Sequence, residues 1–424
     1  MKLILKPLLK MLARATLRRY RPRVVGITGS VGKTSTKEAV AAVLASKYRV
    51  FQSPKNLNNE LGLPLAVLGE SDSGYGSLVA WAGIFVRAVR QLIKKNTSYP
   101  EVLVLEYGVD HPGDMAYLLS VAKPNVAVVT AVAPTHLEFL KTVAAVAREK
   151  QQLATSLDSS GVAVLAADDE MVAGFAERLR ARVVTFGLSP SAQVRADAVQ
   201  LSTAGAPGTA FKVSVSGSSL PVSLPGVLGR PPVVAALAAV AVGQALGVPL
   251  IEAVNALQKV VWPAGRLKVL AGVAGSVLID DTYNSSPRAV AEALRVVQEV
   301  PAAEGARRWA ILGDMLELGK ASVELHREVG SRAAASGIDY LVTVGKESEA
   351  VHQAALTAGF NPQNMWHFAA SSEVAKVIAP RLKANDIVLI KGSQGVRCEL
   401  ITKALLKNPE QAPELLVRQY KPWV

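Results

Sequence analysis

Residues 26–35 read Gly26-Ile27-Thr28-Gly29-Ser30-Val31-Gly32-Lys33-Thr34-Ser35. An apolar run, 23–27, precedes them, and the stretch that follows, 36–45, reads as a helix. A strand, a glycine-rich turn ending in Lys-Thr and a helix together make a phosphate cradle. The backbone N–H groups of the turn and of the helix N-terminus converge on one point, where partial positive charge gathers. In such a loop Gly29, Ser30, Gly32 and Ser35 offer backbone and hydroxyl donors. Lys33 reaches the outer phosphates, and Thr34 puts a hydroxyl on Mg²⁺. The turn is shorter than the common phosphate loop, because its first glycine is Gly29 rather than residue 27. The stretch therefore predicts a nucleoside-triphosphate site, with ATP and Mg²⁺ as cofactors.

Working outward, the chain of 424 residues is long enough for two or three domains. Half of it is hydrophobic and only 5% aromatic, an Ala/Val/Leu composition suited to helices packed on parallel sheets. The single cysteine, Cys398, excludes an internal disulfide and fits a reducing compartment as a buried structural thiol. Short apolar runs at 23–28, 102–106, 125–130, 162–165 and 183–186 alternate with helical stretches at 33–46, 77–94, 142–156 and 170–180. That alternation predicts a parallel sheet covered on both faces, with sites at the carboxyl ends of its strands. Residues 193–224 shift to short Val/Ser/Thr strands and read as an antiparallel edge. Helices at 233–246 and 251–260 close this region. Val261-Trp262-Pro263-Ala264-Gly265-Arg266 reads as a hinge into a second α/β region with strands near 276–279, 309–312, 340–344 and 387–390.

The net charge is +13, yet eight cations and no acid lie in residues 1–23. A generally basic nucleic-acid surface is therefore excluded, and no aromatic–basic interleaving occurs. Within residues 1–22 cations recur every four residues with leucines between them. Two readings stay open: a membrane-surface helix, or a helix docked on the protein itself. The segment is too short and too charged to span a bilayer. Residues 78–93, interrupted by Arg87 and Arg90, read as a packed amphipathic helix.

The shortened loop resembles that of the Mur ligases, and further segments in order along the chain strengthen the resemblance. Asn56-Leu57-Asn58-Asn59-Glu60-Leu61-Gly62 resembles the family's Asn-rich segment. Leu105-Glu106-Tyr107-Gly108 and Pro134-Thr135-His136-Leu137 resemble its metal-binding stretches. Asp280-Asp281-Thr282-Tyr283-Asn284, Gly313-Asp314-Met315-Leu316-Glu317-Leu318-Gly319 with His326, and Lys391-Gly392-Ser393 are close to one branch, the UDP-N-acetylmuramoyl-tripeptide–D-alanyl-D-alanine ligases.

The resemblance implies an α/β fold in two parts: a central P-loop, parallel-sheet ATPase domain over 23–262, and a smaller Rossmann-like domain over 263–424. It also implies ATP-dependent amide-bond formation through an acyl phosphate. Lys33, Lys150, His136 and Arg266 are implied as catalytic, with Lys150 at the position of a carbamylated lysine and Arg266 acting on the γ-phosphate. Thr34, Glu106, His136 and Lys150 are implied as the metal shell. Asp281 and Asn284 are implied at the nucleotide, and Asn58, Asn59, Lys391 and Ser393 at the substrates. The family pattern is broken at Pro231-Pro232, Ala235 and Ala131, where the family carries His or Asn. A full member also begins with a uridine-nucleotide-binding domain, whereas here 22 residues precede the P-loop strand.

The expected partner is a small-molecule or peptide cell-wall precursor. The expected state is a cytoplasmic monomer, with membrane contact only through residues 1–22. Two alternatives stay open: a ligase for another amino-acid polymer, of cyanophycin or poly-γ-glutamate type, and a non-catalytic nucleotide-binding partner protein.

Overall fold

The computed structural model describes residues 2–53, 57–70, 77–94, 96–135, 137–420 and 423. The chain forms two compact units. The first comprises residues 1–197, 212–222 and 233–261; the second comprises 198–211, 223–232 and 262–424.

Nine strands build the first sheet: β1 (Arg23–Thr28), β2 (Val50–Gln52), β3 (Val102–Glu106), β4 (Val126–Val129), β5 (Val162–Ala166), β6 (Arg182–Gly187), β7 (Val194–Ser202), β8 (Gly208–Val215) and β9 (Ser218–Pro225). Their order is β2-β3-β1-β4-β5-β6-β7-β8-β9. The ladders from β2 through β6 are parallel. Strands β3, β4 and β5 are buried along their whole length, as expected where helices cover both faces. The order reverses around β1, whose neighbours are β3 and β4, so the loops after these three strands meet at a switch point.

The expected antiparallel edge begins differently. Strand β7 starts as a parallel partner of β6, through Phe186↔Val194 and Gly187↔Arg195. Only then does the chain turn. Ser216 and Gly217, both with positive φ, make the two-residue turn between β8 and β9 that a tight hairpin requires. The helix expected over 170–180 is also shorter: Glu170–Ala173 is helical and Gly174–Arg178 tightens into a 3₁₀ turn.

Thr142 and Ser77 cap helices Val143–Thr155 and Leu78–Ile93 through their hydroxyls. Helix Arg230–Ala245 carries Pro231 and Pro232 in its first turn, where a missing N–H is harmless. Its Ala/Val run from Ala235 to Val242 is wholly buried.

Helix Lys2–Tyr20 packs into the body of the first unit, burying Leu9, Leu12, Ala13 and Thr16. Tyr20 stacks on Tyr99 with centroids 4.2 Å apart, and the Lys6 ammonium sits 4.1 Å over the Tyr117 ring. Of the two readings of this segment, its apolar stripe serves docking. Helix Leu78–Ile93 is only half packed: Trp81, Ile84 and Ala88 are buried, whereas Val79, Val86, Val89 and Ile93 face solvent.

In the second unit, strands β10 (Lys268–Ala271), β11 (Val277–Asp281), β12 (Arg308–Gly313), β13 (Tyr340–Val344), β14 (Met365–Phe368) and β15 (Ile387–Lys391) run in the order β10-β11-β15-β12-β13-β14. Only β10 is antiparallel. Alternate residues feed two apolar layers. Ile279, Ala310, Leu312 and Leu389 pack with Leu294 and Val297, while Leu278, Trp309, Ile311 and Val388 pack with Ile378 and Ile401. The unit is thus a Rossmann-like α/β layer structure.

Candidate active site

The loop after β1 is built by close approach to β4. Gly29 has φ +152°, and a Cβ there would collide with the Thr130 hydroxyl. Only glycine fits. Thr130 Oγ1 donates to the Val31 carbonyl at 2.6 Å. Ser30 ties the loop to the chain beyond β4: its N–H donates to Ala131 O at 2.8 Å, and its Oγ accepts from Ala133 N at 2.9 Å. Asp169 completes this brace by accepting from Val132 N at 3.0 Å. Gly32, left-handed at φ 84°, opens helix Lys33–Ala45. The first N–H groups of that helix are therefore presented at the mouth of the loop. Lys33 folds back over the loop, its Nζ donating to Gly29 O at 2.7 Å.

The sequence-expected metal shell is brought together in part. Thr34 Oγ1 donates to Glu106 Oε2 at 3.2 Å, and Asn58 Nδ2 donates to Glu106 Oε1 at 3.2 Å. Glu106 ends β3 and is 4% exposed. Asn58 can approach because Gly108 has no Cβ; one there would come within 2.8 Å of the Asn58 side chain. A hydroxyl and a carboxylate beside a phosphate-type loop are hard oxygen donors, so these residues fit Mg²⁺. His136 lies outside the described residues. Among those described, no group of three or more His, Cys, Asp or Glu side chains is assembled for a metal. Asn59 Oδ1 accepts from Leu61 N and Gly62 N at 3.2 and 2.8 Å, just ahead of helix Gly62–Val67.

Lys150, on helix Val143–Thr155, is 1% exposed. Burial first, and then the charge of Lys33, push its ammonium down to about 7, against the opposing pull of Asp110 and Glu149. The two lysines therefore feel each other, and Lys150 is substantially a neutral amine near neutral pH. Glu149 fixes the helix by accepting from Gly113 N at 3.0 Å and Met115 N at 3.4 Å. Asp110 was not singled out from the sequence; its spacing four residues after Glu106, past a strand end, was the available signal.

In the second unit Asp281 and Lys391 meet at the carboxyl ends of β11 and β15. Lys391 Nζ donates to Asp281 Oδ2 at 2.6 Å and to Asn284 O at 3.0 Å. Lys391 is 2% exposed. The resemblance implies nucleotide and amino-acid subsites for these residues, and here the two side chains pair with each other, Lys391 buried and Asp281 half-buried. Ser393 accepts at Oγ from Leu316 N at 2.9 Å. Asn284 Oδ1 accepts from Ser285 N at 2.8 Å. The Arg266 guanidinium lies 4.1 Å from the centroid of the Tyr283 ring. His326 is buried on helix Ser322–Ala334, its Nε2 accepting from Met315 N at 3.0 Å and its Nδ1 facing Ser322 O at 2.7 Å. It braces the Gly313–Gly319 turn. Cys398 is free and buried, with its thiol pushed up to about 12 by burial.

The Mur ligase middle-domain profile matches residues 27–83 and 87–243, and that of the Mur ligase glutamate-ligase domain matches 265–394. The chain belongs to the Mur ligase family. The UDP-N-acetylmuramoyl-tripeptide–D-alanyl-D-alanine ligase of Bacillus subtilis is 29% identical over 402 residues, covering 95% of this chain and 79% of that protein. The enzyme of that name from Mycobacterium tuberculosis (strain ATCC 25618 / H37Rv) is 32% identical over 403 residues, covering 91% and 73%. Among solved structures, MurF ligase from Thermotoga maritima in complex with ADP superposes with a TM-score of 0.78 at 27% identity, covering 96% of this chain and 84% of that one. Mur ligases of this kind are ATP-dependent ligases, and the two-part α/β architecture is theirs.

Proposed function

We propose that this Mur ligase joins D-alanyl-D-alanine, or a closely similar amine, to the terminal carboxylate of a peptidoglycan precursor peptide, using ATP. The observation that carries the reading is the Thr34–Glu106–Asn58 cluster beside the Gly29–Thr34 loop, with the neutral-prone Lys150 next to Lys33. Relatives bearing that activity in their names span most of the chain.

The reaction asks for positioning and charge neutralisation more than for covalent help. The loop N–H groups and Lys33 hold the triphosphate and follow the phosphoryl group as it moves to the acceptor carboxylate. The amine then attacks the acyl phosphate, and the amide, ADP and phosphate leave. Thr34 and Glu106, with His136, are assigned to Mg²⁺, which when bound neutralises phosphate charge. Lys150, as a neutral amine, adds CO₂ through its Nζ and gives up one N–H proton to solvent, becoming a carbamate. That exchanges a cation for an anionic oxygen group beside the metal shell. Arg266 is assigned to the transferring phosphoryl, Asp281 and Asn284 to the nucleotide, and Asn58, Asn59, Lys391 and Ser393 to the substrates.

The test is direct. The chain, ATP, Mg²⁺, the UDP-linked tripeptide and D-alanyl-D-alanine are incubated together, and the product is read by mass spectrometry. The expected product is the pentapeptide nucleotide. ATP turnover with another amine and acceptor, but none with this pair, would move the chain to a different polymer.

A further inference from the structure

Helix Leu78–Ile93 carries two apolar faces, and the protein covers only one. At about 100° per residue, Trp81, Ile84 and Ala88 share the buried side. Val79, Ala82, Val86, Val89 and Ile93 follow one another at spacings of three and four, within an arc of about 80° on the far side. Val79 is 82% exposed, Val86 66% and Ile93 77%. Phe85, Val86, Val89, Arg90, Ile93 and Lys94 line an open hollow of about 500 Å³ there.

Charge says what such a face would meet. Residues 77–100 hold Arg87, Arg90, Lys94 and Lys95 and no acid, and residues 1–23 hold eight cations and no acid. These two segments carry twelve positive charges in a chain whose net charge is +13. They are also joined in space. Arg19 Nη2 donates to Ile93 O at 3.2 Å, and Tyr20 Oη donates to Gln91 O at 2.7 Å while accepting from Asn96 N at 2.9 Å. Exposed Arg18, Arg19 and Arg21 therefore stand at the end of the helix where Ile93 and Lys94 emerge. Arg87 is held on Glu70 by a forked pair at 2.9 and 2.7 Å, so it is left out of the contact.

We propose that this face docks on an anionic lipid surface, with the Val79–Ile93 stripe entering the headgroup layer and Arg90, Lys94 and the arginines at the end of helix Lys2–Tyr20 meeting the lipid phosphates. The inference stands apart from the ligase reading. It also relocates the membrane contact, because the apolar stripe of helix Lys2–Tyr20 is spent on the first unit. Sixteen residues make a helix about 24 Å long, too short to cross a bilayer core of about 30 Å, so it lies in the interface. No helix among the described residues is long and apolar enough to cross a membrane. A second copy of the chain is the poorer occupant, because it would bring like charges together on both sides.

The experiment is cosedimentation of the full-length chain with phosphatidylcholine vesicles and with vesicles containing phosphatidylglycerol, alongside sedimentation velocity of the protein alone. Binding is expected to the anionic vesicles only. It should weaken as salt rises from roughly 0.1 to 1 M and the screening length falls from about 10 to about 3 Å. Arg90→Gln with Lys94→Gln should weaken it roughly thirtyfold, and Val86→Glu with Ile93→Glu at least tenfold. All four sites are exposed, so the variants should melt with the parent. Equal binding to neutral vesicles, no binding to anionic ones, or full binding by the Val86→Glu/Ile93→Glu variant would overturn the proposal. So would a dimer in solution that this variant dissociates, which would assign the face to a second copy.

Discussion

Replacing Lys150 by methionine should stabilise the protein while abolishing ligation, and the stabilisation should depend on pH in a defined direction. The Lys150 ammonium titrates near 7 in the folded chain against an ordinary value of 10.5. Between those values the unfolded chain binds a proton that the folded chain does not, so stability rises with pH across that window and levels off below it. At about 1.4 kcal/mol per pKa unit, the penalty for keeping this lysine buried approaches about 5 kcal/mol in the acid limit and falls to about 2 kcal/mol at about pH 9. Methionine fills the same volume and carries no charge. The variant should therefore gain about 2–3 kcal/mol more over the parent at about pH 6 than at about pH 9. Urea unfolding of both proteins at the two pH values, in buffers stripped of CO₂, reads the difference. The window is bounded by the folded value near 7 and the unfolded value of 10.5, so most of the change should appear above neutrality. A stability difference that does not move with pH would show that Lys150 keeps its proton in the fold, and the carbamate role would lose its basis.

Other outcomes follow from the same geometry. Lys33→Ala should lose ATP turnover while keeping the parent's melting temperature, checked by phosphate release and calorimetry. Lys150→Arg should be inactive, whereas Lys150→Ala should regain part of its activity with added acetate; a near-normal arginine variant would mark the side chain as a mere helix charge. Glu106→Gln should raise the Mg²⁺ concentration for half-maximal activity by roughly ten- to a hundredfold, read by metal titration of turnover. Gly29→Ala should fail to bind nucleotide, because the added methyl meets the Thr130 hydroxyl; unchanged binding of a fluorescent ATP analogue would contradict that packing.

The parts legible in the sequence were those whose physics is local. The P-loop needs a strand, positive-φ glycines and a helix start within ten residues, and all three lie in Gly26–Ser35. The buried strands β3, β4, β5, β12, β13 and β15 announced themselves as continuous apolar runs. Strands β2, β10 and β14 did not, because they are short and mostly half-buried, and their mixed residues form no continuous apolar run. The burial of Lys150 was not legible either. Arg148-Glu149-Lys150-Gln151 has the composition of a solvated helix face, and the bonds that tie this helix to another part of the chain, Glu149 to the Gly113 and Met115 N–H groups, leave no local trace in it. Asn59 shows the converse. Its position three residues before Gly62 made the bond that its Oδ1 accepts from Gly62 N legible from spacing alone. Helix Leu78–Ile93 misled for a related reason. Two arginines made it read as amphipathic, although its apolar residues occupy two opposite arcs.

The central claim is that the cradle after β1 spends ATP only to activate a carboxylate for an amine. Phosphate release measured with the acceptor peptide and the amine, each alone and together, tests it most directly, with ¹⁸O placed in the acceptor carboxylate. The account predicts sustained release only when both are present, with one labelled oxygen carried into the phosphate. Brisk release without either substrate, or phosphate free of label, would contradict it.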